Sequence, residues 1–75
     1  MTKQSQHTDT SLHEAVYILQ QRGIAASWEY PGYLAIGEFA FGIEDGELIG
    51  DDGIDEAEGI QQTLPTADAI ETFLI

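Results

Sequence analysis

The chain has no cysteine, and beyond Arg22 it has no lysine or arginine. The first absence excludes a disulfide, a thiolate nucleophile and a cysteine-based metal cluster. The second is less usual. Fourteen acids face two bases, Lys3 and Arg22, and the formal net charge at pH 7 is −12. Asp9 and Glu14 balance those bases, so the whole net charge falls on residues 23–75. Such a chain is repelled by nucleic acid and anionic lipid and attracted to basic surfaces. Long apolar runs are missing too. No stretch approaches the roughly 20 residues of a spanning helix, and MTKQSQHTDT lacks the apolar core of a secretory signal. These absences predict a cytoplasmic protein that contacts neither membrane nor nucleic acid directly.

Histidine is scarce. His7 and His13 are the only two, and neither has an evident nucleophile beside it. Paired carboxylates can run acid–base chemistry when burial pushes their pKa values apart, but acids in turns stay in water. The sequence points away from an enzyme and carries no cofactor signature. Asp45, Glu47, Gly50 and Glu56 match the first, third, sixth and twelfth places of a calcium loop. The fifth place is Ile49, which has no side-chain oxygen, so no metal site is assigned.

A hydrophobic content of 43% over 75 residues is that of one small globular domain. The usual stability per residue implies about 4–11 kcal/mol in total. Residues 1–10 read as a flexible polar lead and 11–75 as the domain. Ser11 with Glu14 forms a capping box, and Leu12, Ala15, Val16 and Leu19 make one apolar stripe, widened by Ile18. Gly23 is the stop signal. Ile24, Ala26, Trp28 and Tyr30 then alternate as a half-buried strand, and Pro31-Gly32 turns the chain. Tyr33 to Ile36 is a second strand, and Gly37-Glu38 a two-residue loop. In a third strand Phe39, Phe41 and Ile43 alternate with Ala40 and Gly42. Asp45-Gly46 is the strongest hairpin signal and leads to a fourth strand, Glu47 to Gly50. Residues 51–59 read as a loop anchored by Ile54. Ile60 to Leu64 fits either an edge strand or a linker. Pro65 and Thr66 open a last helix with Ala67, Ile70, Phe73 and Leu74 on its apolar side.

The order α-β-β-β-β-α predicts an α+β fold: a small antiparallel sheet with both helices on one face. Its core would hold Leu12, Val16, Leu19, Trp28, Leu34, Ile36, Phe39, Phe41, Ile43, Leu48, Ile70, Phe73 and Leu74. The opposite sheet face would be thin in large apolar groups and open to water or a partner.

The function has to be sought in EDGELIGDDGIDEAE, residues 44–58. Eight of these fifteen residues are acids: Glu44, Asp45, Glu47, Asp51, Asp52, Asp55, Glu56 and Glu58. Two like charges ~7 Å apart in water repel by about 0.6 kcal/mol, so several such pairs amount to a few kcal/mol. A cationic partner explains that cost better than solubility does, which needs a net charge of only about 2–8 in magnitude. On a strand, Asp45 and Glu47 would project on one side about 6.7 Å apart, a spacing that can imitate a row of phosphates.

In size, acidity and helix-plus-small-sheet layout, residues 11–75 resemble small acidic phage inhibitors of the anti-CRISPR and DNA-mimic kind. The acids of residues 44–58 carry that resemblance. Acidic immunity proteins that plug toxin nucleases are similar in size and charge. The resemblance implies a non-enzymatic protein that occupies a basic nucleic-acid-binding surface of a partner protein. The eight acids would be its contact residues, with Tyr33 and Tyr17 as apolar anchors. The competing expectations are a small acidic domain of a high-salt or general cellular protein without mimicry, and a loose divalent-cation-binding module.

Overall fold

The computed structural model describes residues 7–75. Of the lead expected over residues 1–10, positions 1–6 lie outside the described residues. Helix α1 spans Asp9–Gln21 and opens earlier than the sequence suggests. Its N-cap is Thr8, whose hydroxyl accepts from the Ser11 N–H at 3.0 Å, while the Thr8 N–H donates to Ser11 Oγ at 2.9 Å. The capping box is therefore Thr8 with Ser11, and Ser11 with Glu14 is not one. At the other end Gly23, at φ +85°, donates to the Gln20 carbonyl, and Ile24 N–H donates to the Leu19 carbonyl. That is a Schellman closure, with Ile24 packed on the core beyond it.

Four strands follow: β1 Ala26–Glu29, β2 Tyr33–Ile36, β3 Phe39–Glu44 and β4 Glu47–Asp51. They form an antiparallel meander in the order β1-β2-β3-β4. Helix α2, Thr66–Leu74, completes the fold. This is the α+β layout expected. Asp45 at φ 52° and Gly46 at φ 79° are both left-handed, the conformation of a two-residue type I′ hairpin turn.

The register places Trp28, Leu34, Phe41 and Gly50 in one cross-strand row. With Ala26, Ile36, Phe39, Ile43 and Leu48 they form the core face. Leu12, Ala15, Val16 and Leu19 of α1 are buried with Leu34, Phe41 and Leu48 of the sheet. Phe73 of α2 meets the rings of Phe39 and Phe41 edge-on, with centroids 5.5 and 5.8 Å away. Both helices thus lie on one side. Arg22 holds them together through ion pairs to Asp68 (2.8 Å) and Glu71 (2.7 Å) on α2. Hydrogen bonds to those carboxylates, Asp68 first, raise its pKa above the ordinary value.

Some expected core positions are not core. Trp28 is 37% exposed, because β1 is an edge strand and its ring meets the exposed His13 of α1, centroids 4.8 Å apart. Ile18 falls outside the buried stripe, and Ile54 anchors nothing at 88% exposure. His7 departs in the opposite direction. Read as part of the lead, it is 2% exposed, with Nδ1 2.9 Å from Thr66 Oγ1 and Nε2 3.0 Å from the Gln62 carbonyl. Thr66 Oγ1 also lies 2.8 Å from Ser11 Oγ, so this polar cluster joins the N-terminal ends of the two helices.

Candidate functional site

The acid run does not form one loop. Residues Glu47–Asp51 are β4, so the run divides into a hairpin tip and a loop at opposite ends of that strand. Four strand residues rise roughly 13 Å, which separates Glu47 from Asp51. The spacing noted for a calcium loop therefore spans a hairpin turn and a strand. No cluster of three or more metal-ligating side chains occurs among the described residues.

At the tip, Glu44 and Glu47 are direct cross-strand partners. Asp45 sits in the turn, so the expected same-side row of Asp45 and Glu47 is replaced by an opposed Glu44–Glu47 pair. The loop is tied back to the sheet. Asp51 and Glu56 form an antiparallel bridge, and the Ala57 N–H donates to the Gly50 carbonyl at 2.8 Å. Asp51 Oδ1 accepts from the Gly53 N–H, and Asp52 Oδ1 accepts from those of Ile54 and Asp55. The N–H groups of Asp55 and then Ile54 hold the Asp52 carboxyl below its ordinary pKa, because they stabilise the charged form. Asp55 and Glu58 stay exposed.

Two like-charge pairs are thus set face to face along one edge, Glu44 with Glu47 and Asp51 with Glu56. Directly opposed like charges destabilise a sheet. Among the described residues the only ion pairs are those Arg22 makes with Asp68 and Glu71, so no acid of residues 44–58 is paired.

Strand alternation decides which side these groups face. Glu44, Glu47, Ile49 and Asp51 have the parity opposite to Phe41 and Leu48 and point away from the helices. Glu29, Tyr33, Ala35, Ala40 and Gly42 share that side. This open face contains a groove of about 420 Å³ lined by Tyr33, Ala40, Gly42, Ile49, Asp51 and Glu56, among others. The structure thus brings Tyr33 together with two of the candidate acids. Tyr17 lies elsewhere, on α1 beside His13 with centroids 5.6 Å apart. The most exposed aromatic is Tyr30 at 93%, ahead of Tyr33 at 36%.

Ala40, Gly42 and Ile49, the groove floor, were not among the residues expected to make contact. The signal for Ala40 and Gly42 was the small-residue half of the alternation in β3; Ile49, on β4, had no such signal. Gln62 was missed as well. Its Oε1 accepts from the Leu48 N–H at 2.9 Å and its Nε2 donates to the Leu48 carbonyl at 2.8 Å. One side-chain amide thereby substitutes for a neighbouring strand, and residues 60–64 close the β4 edge without being a strand.

No family model, curated protein or solved structure matches this chain. No helix among the described residues is long and apolar enough to cross a membrane.

Proposed function

We propose that this chain is a non-enzymatic binding protein whose acidic surface occupies a basic, nucleic-acid-binding surface of a partner protein. In this it would act as a phage-type inhibitor of the anti-CRISPR or DNA-mimic kind. The observation that supports the reading is the pair of opposed carboxylate pairs on the β4 edge, with no base among residues 23–75 to answer them. A fold that keeps like charges face to face loses stability by doing so, and a cationic surface would recover it. Clustered charge of one sign also steers encounter, since it accelerates association with an oppositely charged groove.

Replacing Asp51, Asp52, Asp55 and Glu56 by their amides tests this. The amides keep the oxygens that accept from Gly53, Ile54 and Asp55, so the loop retains its hydrogen bonds. The variant should melt no lower than the parent, because relief of repulsion at four positions outweighs the lost charge assistance at Asp52. Immobilised parent chain should retain a nucleic-acid-binding protein from a host lysate, release it to added duplex DNA or RNA, and bind it more weakly as salt rises. The quadruple amide should fail to retain it. Equal retention by a folded quadruple amide at physiological salt would overturn the reading.

A further inference from the structure

Resting on that reading, we propose that the open sheet face receives an arginine of the partner. Its stem lies over Ala40 and Gly42 against Tyr33, and its guanidinium sits between Asp51 and Glu56. Gly42 is the observation that points to an occupant. It stands in the middle of β3 outside the left-handed region, and a Cβ built on it meets nothing within 4 Å. Neither backbone conformation nor internal packing requires glycine there. A strand-interior glycine weakens the strand, and it is found where a ligand or another chain approaches the backbone closely. Gly50, one strand away on the core face, is the contrast, since the Phe41 ring fills the space a side chain would need.

The groove chemistry selects the occupant. Its lining combines the apolar Ala40, Gly42 and Ile49 with Tyr33 and the opposed acids Asp51 and Glu56. A guanidinium is planar, stacks on aromatic faces and bonds carboxylates in a fork, while its methylene stem covers apolar surface. A lysine shares the stem and the charge but lacks the planar fork that stacks and bonds two carboxylate oxygens at once. Surfaces that grip phosphates are rich in arginine, so this occupant is also what the proposed partner presents.

The probe is a short acetylated and amidated peptide with a central arginine flanked by valines, titrated into the isotope-labelled full chain by NMR. Two matched peptides carry lysine or citrulline instead. The arginine peptide should shift the amides of Ala40, Gly42, Ile49 and Asp51. The lysine peptide should bind several-fold more weakly, and the neutral citrulline peptide should leave the spectrum unchanged. Gly42→Thr adds a β-branched side chain to open space on a strand. It should melt at or above the parent temperature and bind the arginine peptide at least about tenfold more weakly. Equal binding by parent and Gly42→Thr would overturn the groove proposal, as would arginine and lysine peptides of equal strength. If the quadruple amide still loses the lysate partner in that case, the acidic-surface reading survives without the groove. If the quadruple amide keeps the partner, that reading has failed as well.

Discussion

Asp52 shows how one acid can serve its own loop while it adds to the charge of the surface. Its carboxylate accepts two backbone N–H groups, from Ile54 and Asp55, and these favour the ionised form. Its folded pKa is therefore depressed. The stability it contributes is fully present above the unfolded carboxylate pKa and is lost as pH falls through the folded value. A carbon-detected NMR titration should place the Asp52 midpoint below the usual aspartate range. Amide protection of Ile54 and Asp55 should decline over the same pH interval. In Asp52→Asn the oxygen remains but does not titrate, so that decline should disappear. An Asp52 midpoint at or above the usual range would mean that the loop hydrogen bonds do not persist in solution.

Among the elements, β4 is the most constrained. Its core side leans on Phe41, its outer edge is closed by Gln62 and Ala57, and its open side carries the carboxylates. Gly50 is where the core constraint is tightest. A Cβ there would lie 2.8 Å from Phe41 Cδ1, 3.0 Å from Cε1 and 3.2 Å from the Ala40 carbonyl oxygen. The Phe41 ring is fully buried against Phe73 and cannot swing aside freely. Gly50→Ala should therefore cost about 1–3 kcal/mol, as overpacking of a core does. A denaturant midpoint equal to the parent's would contradict the packing of Phe41 on β4. The two strand glycines thus predict opposite outcomes: an added methyl destabilises at 50, and a larger side chain at 42 does not.

For the molecule as a whole, charge and stability pull against each other. Arg22 is engaged with α2, while ten acids from Glu29 to Glu58 are without an ion pair among the described residues. Screening acts on that excess. Moderate NaCl should raise the melting temperature, and Mg²⁺ at matched ionic strength should raise it further. A melting temperature insensitive to salt would show that the acids are too far apart to repel. Stabilisation by Ca²⁺ far beyond that by Mg²⁺ would point to a structured cation site.

Periodicity and turn chemistry were enough to read the order of the elements. The alternation of Phe39, Phe41 and Ile43 and the strong hairpin signal of Asp45-Gly46 were legible because these signals act between neighbours in the chain. The acid run was equally plain, since net charge does not depend on folding. Other features depend on residues far apart in sequence. Trp28 looks like core until β1 proves to be an edge strand. His7 looks like a loose end until Thr66, 59 positions away, accepts its place between the helices. Gln62 closes an edge formed by Leu48, 14 positions earlier. The candidate site belongs to this second class. Opposing Asp51 to Glu56 and setting Tyr33 beside Gly42 required the register of three strands and a returning loop. Local propensity does not encode that register; the burial of one sheet face under two helices selects it, since a slip of one residue would turn every side chain to the other face.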